Sequence, residues 1–453
     1  MKQLFLLLSL CFSVMSHVSA QTELDLINAV NLDALSLTVQ EFTGEVATNV
    51  GGNTVTILNR EEANNELAGD YLVEKFNAMG ILTVNDQPFN TNGRNIIATQ
   101  LGKTNPNDIY IICAHYDSVA DYCADDNATG TATVLEIARI LSTQCMDNTL
   151  VYALWDEEEI GLRGADFYAT QASSNGDNIL GVLNIDMMGY DGDDDDDFDI
   201  DVRPIGNSLE MKDDLVGLLA SYNFNLNVNV VNPGSPASDH SRFWNQGFSA
   251  VLVGESWENN DQTPYYHSSG DRFSTLDLPY FHELAKLIMS YMVTKGGLVS
   301  VDNSLTVSPS TLTSNMDNAS YQWINCNINL PISSESNQSF SPSASGSYAV
   351  AVTVGSCTEL SSCVDFTSLD SETIKLNMIK VFSNAALTTL NIEHPFNEDL
   401  SFELFSIEGK KIFEQVLTEK HTKLNISQFP QGVYFVQLTQ NKKVFSQKIV
   451  IGK

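Results

Sequence analysis

The chain has 453 residues, with 57 Asp or Glu against 23 Lys or Arg, a formal charge of −34 with the histidines neutral. Acidity of this degree excludes nucleic acid and anionic membrane surfaces as natural partners, because their own negative charge would repel it. The length exceeds what one ordinary hydrophobic core organises, so two or three domains are expected.

Met1-Lys2, the apolar run Leu4 to Val14 and the small residues Val18-Ser19-Ala20 form the three-part pattern of a secretory signal peptide over residues 1–20. No later stretch approaches the ~18 apolar residues of a transmembrane helix. The mature chain is therefore expected to be exported, into the medium or onto the cell surface. Glu61 to Met79 has helical spacing and stops at Gly80, and Asn95 to Leu101 has strand character. Arg94, just before that strand, reads as a solvated or capping charge.

Asp108 to Ala114 is an apolar, β-branched and aromatic run that predicts a buried strand, and it breaks abruptly into His115-Tyr116-Asp117. Asp125-Asp126-Asn127 follows, and then Thr129 to Ala138, whose apolar spacing predicts a buried helix. An imidazole and a carboxylate are good zinc ligands, and Asp117, two residues on, is placed to fix the orientation of His115. One His-x-Asp arises often by chance; here further strands end the same way. Thr149 to Trp155 runs into Asp156-Glu157-Glu158-Glu159, Ile179 to Ile185 ends in Asp186, and Ala250 to Val253 leads towards Tyr265-Tyr266-His267. Ligands gather at the carboxyl ends of strands in open α/β sheets, and four acids beside a buried strand are costly unless a cation or solvent meets them. Leu209 to Tyr222 and Pro279 to Thr294 read as amphipathic helices covering the sheet, with His282 structural.

In order, Cys113-Ala-His-Tyr-Asp-Ser118, Ala124-Asp-Asp-Asn-Ala-Thr-Gly130, Asp156-Glu-Glu-Glu-Ile-Gly-Leu-Arg-Gly164, Asn184-Ile-Asp-Met-Met-Gly-Tyr190, Ser238-Asp-His-Ser-Arg-Phe243 and Tyr265-Tyr-His-Ser-Ser-Gly-Asp271 resemble the motifs of the M28 zinc aminopeptidases, over roughly residues 24–300. The resemblance implies an α/β zinc exopeptidase fold, a three-layer sandwich around a mixed, largely parallel sheet. It further implies two zinc ions held by His115, Asp126, Glu159, Asp186 and His267, with Asp126 bridging, Glu158 as general base and Asp117 orienting His115. Gly161-Leu162-Arg163-Gly164 sets the register and leaves Asp156 and Glu157 outside the site. Such a ligand set suits two metals roughly 3.5–4 Å apart. The expected activity is removal of N-terminal residues from peptides with a free N-terminus. A glutaminyl cyclase-like enzyme with one zinc shares the resemblance, but Asn127 and the unbroken Glu158 to Gly164 run favour the peptidase; an inactive surface binding protein is a third possibility. Some relatives carry an oxyanion-stabilising Tyr shortly before the Ser-Asp-His segment, where this chain has Asn232 to Ala237. His240 and Tyr266 are the substitutes at hand.

Residues 303–366 lose helical periodicity and become rich in Ser, Asn and Thr, which predicts a small β-sandwich; it resembles the immunoglobulin-like modules of secreted Bacteroidetes proteins. Residues 374–453 alternate strands with turns and resemble type IX secretion C-terminal sorting domains, with Ser383-Asn384-Ala385 in place of the usual Pro-Asn-Pro. The resemblance implies the type IX secretion machinery as a partner. Three cysteines in each of the first two units leave the disulfide connectivity open, and Cys113 reads as a buried thiol. The run Asp191-Gly192-Asp193 to Asp201 reads as a solvated acidic loop, with calcium as the alternative. A strand over Asp197 to Asp201 would turn Phe198 and Ile200 to the core and the three acids the other way.

Overall fold

The computed structural model describes residues 22–451 apart from 62–63, 81, 356, 368–377, 385–387 and 441–442. The expected leader at 1–20 and the expected start of the tail at 374 lie outside the described residues. Two compact units result: residues up to 304 together with 315–322 and 350–362, and residues 305–314, 323–349 and 363–453.

The first unit is built on eight strands: β1 Thr83–Pro88, β2 Arg94–Gln100, β3 Asn105–His115, β4 Asn148–Trp155, β5 Ile179–Ile185, β6 Asp197–Asp201, β7 Asn227–Val231 and β8 Ala250–Glu255. Their spatial order is β1-β2-β4-β3-β5-β8-β6-β7. The centre, β4-β3-β5-β8, is parallel. β1 and β2 add antiparallel on one side; β6 pairs antiparallel with β8 and parallel with β7 on the other. The sheet is therefore mixed, as expected, and β1 and β7, too polar to stand out as apolar runs, form its edges.

Alternation along the strands makes three layers. Ile112, Ala114, Leu150, Tyr152, Leu154 and Leu183 face the core shared with helices Asn65–Ala78, Gly130–Leu141 and Leu278–Gly296. Ile111, Cys113, Val151, Ala153 and Val182 face helices Arg163–Asn175 and His240–Asn245, where Ala165, Ala169 and Ala172 let the helix lie close. His282 holds the Val30 carbonyl at 2.9 Å, a structural role. Arg94 is tied to Asp70 and Asp86 at 2.7 and 2.8 Å, so it braces the edge of the sheet.

Because the four central strands are parallel, their carboxyl ends lie together. β3 delivers His115 there, β4 leads into 156–159, β5 into Asp186 and β8 into the loop that carries His267. Two glycines allow the close approaches. A Cβ on Gly254 would strike the carbonyl oxygen of Asp186, and one on Gly130 the side chain of Asn127.

The regular elements described within 303–366 are strands, in sheets of three and five. Trp323 is fully buried beside Phe340, and Cys326 is bonded to Cys363. Cys113 is a buried free thiol, as read from the sequence. Residues 380–451 form sheets of three and four antiparallel strands around Leu390, Ile392, Phe402, Leu404, Val436 and Leu438. No described helix is long and apolar enough to cross a membrane.

Candidate metal centre

His115 ends β3, and its Nε2 lies 3.2 Å from Asp126 Oδ1 and 3.2 Å from Asp186 Oδ1. The other Asp126 oxygen, Oδ2, lies 3.4 Å from His267 Nε2, which is itself 3.1 Å from Glu159 Oε2. Asp126 thus divides the cluster into two halves, His115 with Asp186 and His267 with Glu159, giving one oxygen to each. His115, Asp126 and Glu159 each offer a ligating atom within 4.8 Å of the others.

Asp117 sits behind this cluster. One of its oxygens lies 3.4 Å from His115 Nδ1, and the two accept the backbone N–H groups of Glu158 and Glu159 at 3.2 Å each. A single carboxylate therefore joins the orientation of His115 to the turn after β4. Asp156 and Glu157 face away, towards Asn65 and Arg163 respectively, in line with the register argument.

The electrostatics ask for positive charge. Among the described residues, none of Asp117, Asp126, Glu158, Glu159 and Asp186 is ion-paired with Lys or Arg. Burial disfavours a charged His115, yet Asp186 and Glu158 beside it overcome that and hold the imidazole well above its usual range. Burial pushes the Glu158 and Glu159 carboxyls up. Asp186 also suffers burial, but His115 and the Ser238 hydroxyl, which donates to it at 2.7 Å, bring it below the ordinary carboxylate value. Asp126 Oδ2 and Glu159 Oε1 are buried without hydrogen-bond partners. Orphaned carboxylate oxygens beside the imidazoles of His115 and His267 fit zinc.

Of the two substitute oxyanion donors, His240 is fully buried, with Nε2 on the Ser235 carbonyl at 2.9 Å, and burial depresses it to about 4. Tyr266 is partly exposed and stacks on His267 with ring centres 3.7 Å apart. The acidic run divides differently from the expected Asp191–Asp201 site. Asp191, Asp193 and Asp195 gather with Asp261 within 4.8 Å. Asp199 and Asp201 belong instead to β6, where pleating turns them away from that loop while Phe198 and Ile200 enter the core.

Two supporting residues were given no role by the sequence. Asp271 accepts the backbone N–H groups of Asp125 and Asp126 at 2.9 and 3.0 Å. Arg60, fully buried, donates to the carbonyl oxygens of Phe42, Tyr116, Tyr122 and Cys123. Asp271 at least lies inside a recognised motif; Arg60 lies in none.

Residues 95–292 match peptidase family M28, and residues 380–452 match the secretion system C-terminal sorting domain. A probable zinc metalloprotease of Leptosphaeria maculans is 37% identical over 111 residues, 22% of this chain and 26% of that protein. A probable aminopeptidase of Saccharomyces cerevisiae is 27% identical over 215 residues, 44% of this chain and 57% of that protein. The chain thus spans between about a quarter and somewhat over half of the length of these curated relatives. Among solved structures, LapB of Legionella pneumophila superposes with a TM-score of 0.52 at 19% identity, covering 60% of this chain and 74% of that one. The LapA aminopeptidase of the same organism gives 0.52 at 17%, covering 63% and 78%. Both likenesses show the fold. Residues 95–292 are a peptidase family M28 domain, on a chain whose residues 380–452 are a secretion system C-terminal sorting domain.

Proposed function

We propose that the chain is a secreted zinc aminopeptidase that hydrolyses the first peptide bond of substrates with a free N-terminus. One observation carries this: the two oxygens of Asp126 face different histidines, at 3.2 and 3.4 Å, so that one carboxylate serves two ligand sets. His115, Asp126 and Asp186 would hold one zinc, and His267, Asp126 and Glu159 the other. When bound, the metals would supply Lewis acidity for the peptide carbonyl and for the attacking water. Glu158 is the general base of this reading, taking the proton of that water and returning it to the departing amine. Asp117 keeps His115 and the Glu158 turn in register. The carboxylates of Glu159 and Asp186 attract the substrate's α-ammonium group, and Tyr266 at the open side is the donor available to the developing oxyanion.

The sorting domain supports export through type IX secretion, with residues 1–20 as the leader. The accompanying division is a catalytic unit at 24–300, a sandwich at 303–366 and a sorting domain at 374–453. Calcium is the finer reading for the loop of Asp191, Asp193, Asp195 and Asp261; it is supported by the buried, unpartnered Asp191 Oδ1. Calcium there would raise the melting temperature more than magnesium, and equal shifts would leave a solvated loop.

The test of the enzyme reading is a zinc-loaded full chain and its Glu158→Gln variant, assayed on aminoacyl amides, N-acetylated controls and N-terminal Gln peptides. Two zincs per chain, hydrolysis of free N-termini alone, and loss of several orders of magnitude in kcat with metal retained are expected. Cyclisation of Gln peptides without hydrolysis would establish the cyclase instead. A wild-type chain that binds peptides without turning any over would establish the binding protein.

A further inference from the structure

Beside the candidate metal centre the first unit holds a cavity of about 460 Å³ that reaches Asp186 and Met187. Its walls combine apolar surface from Met187, Val231, Leu252 and Trp257 with carboxylates from Asp199 and Asp201. Glu258 adds a further acid, and no lysine or arginine is among the described residues that line the space. We propose that this cavity receives the side chain of the substrate's N-terminal residue and selects lysine and arginine. The proposal rests on the aminopeptidase reading and adds the substrate class.

The acids on β6 have no packing reason to be there. Phe198 and Ile200 satisfy the core on one face of the strand, so the opposite face was free to carry any residue that suits its surroundings. It carries Asp199 and Asp201, 4% and 8% exposed, where an unpaired charge is costly. The two differ in how they are satisfied. Asp199 Oδ2 accepts the backbone N–H groups of Trp257 and Glu258 at 2.8 and 3.0 Å, so its place is fixed by the loop after β8. Asp201 accepts one backbone N–H, from Ser235, on Oδ1. Its Oδ2 accepts no hydrogen bond among the described residues, although it belongs to a residue that lines the cavity. Burial pushes this carboxyl up to about 6; Arg203 nearby lowers it in part but forms no ion pair with it among the described residues.

A lysine or arginine side chain has the matching anatomy, an apolar stem with a cation at the end. The stem would lie along Met187, Leu252 and Trp257 while the cation meets Asp201, with Asp199 and Glu258 adding to the field. An aliphatic side chain of the same length would fill the space but leave the acid unpaired, and a site with an unpaired buried polar group rejects such an analogue strongly. Acidic N-terminal residues would meet like charge and be refused.

The experiment compares kcat/KM of the zinc-loaded full chain for lysyl, arginyl, norleucyl, leucyl and glutamyl amides. Norleucine is the critical control, being lysine without its amine. Lysyl and arginyl substrates should exceed norleucyl by about tenfold or more, with glutamyl lowest. In Asp201→Asn the lysyl to norleucyl ratio should collapse towards one, mainly through KM for the basic substrates. Competition by free lysine against free norleucine on the wild-type enzyme gives the same comparison without a variant that must fold. Norleucyl or leucyl substrates turned over as well as lysyl would overturn the proposal and leave the aminopeptidase reading standing, as would a basic preference that follows the second residue of a dipeptide amide rather than the first. Hydrolysis of none of the five by a zinc-loaded chain would instead remove the aminopeptidase reading itself.

Discussion

Replacing Arg60 by Met should weaken the fold and the metal site together. The guanidinium is wholly buried, and it donates from Nε to the Tyr116 carbonyl at 2.8 Å, from Nη1 to Tyr122 and Phe42 at 2.6 and 3.2 Å, and from Nη2 to Cys123 at 2.8 Å. Tyr116 stands beside His115 and Asp117, and Cys123 lies three residues before Asp126, so one side chain ties both ends of the loop between the ligand strand and the bridging acid. Burial still makes the guanidinium less basic than usual, and Asp126, Asp271 and Asp117 nearby offset part of that cost. Met keeps the stem but takes the guanidinium donor away from four carbonyl oxygens. A hydrogen bond to a charged group contributes about 1.5–3 kcal/mol, and removing the cation also removes its own desolvation. The net loss expected for breaking a buried charged arrangement from one side is about 3–5 kcal/mol. In a unit of this size each kcal/mol moves the melting temperature by roughly 2–4 °C, so the metal-free Arg60→Met chain should melt on the order of 10 °C lower. Zinc affinity should fall as well, since the loop that leads to Asp126 loses one of its ties, and Arg60→Lys should recover part of both. The measurements are thermal melts with and without chelator, together with a zinc titration. A metal-free melting temperature within about 2 °C of wild type, with zinc affinity unchanged, would show that the guanidinium does not organise this loop.

Four further outcomes are expected. The lysyl to norleucyl preference should fall as pH drops through about 6, because Asp201 is raised to about 6 by burial and by Asp199 and Glu258, against the lowering effect of the Ser235 N–H and Arg203, and protonation removes the charge that selects the cation; kcat/KM reports the free enzyme, and a ratio flat from pH 8 to pH 5 would contradict the assignment. The same raised carboxyl disfavours the folded state above that pH, so Asp201→Asn should stabilise the metal-free chain at pH 8 more than at pH 5, as thermal melts at the two pH values would show. Gly254→Ala should lower zinc content and activity, since its methyl group would press on the Asp186 carbonyl; metal analysis of the purified variant decides it. Deletion of residues 374–453 should leave an active enzyme that stays inside the native host's envelope, and its appearance in the medium would argue against an address in that segment.

Much of the centre was legible because chemistry interrupts packing there. The apolar runs before His115, Asp156 and Asp186 mark β3, β4 and β5 within a few residues, and the acids that follow have no place in a core. Since parallel strands bring their carboxyl ends together, these separate interruptions imply one cluster, and the structure shows the five candidate ligands as neighbours. The alternation over Asp197 to Asp201 was equally visible, and the structure buries Phe198 and Ile200 as it requires. Its acids were nevertheless grouped with the Asp191 to Asp196 loop, because alternation tells which residues share a face but not what that face looks onto. The partner of that face comes from the loop after β8, more than fifty residues further on, and no pattern along the chain joins the two.

Arg60 and Asp271 escaped for a related reason. The contacts that tie them to the ligand loop end on main-chain atoms, four carbonyl oxygens for Arg60 and two N–H groups for Asp271. A side chain that binds another side chain leaves a pair of chemically matched letters, but every residue has a carbonyl and nearly every one an N–H, so a side chain that binds the backbone leaves one letter and no mate. The side chains that face one another in the candidate metal centre are therefore its readable part. The residues that hold the ligand loops in place become readable only once the fold shows which backbone groups would otherwise be buried unpaired.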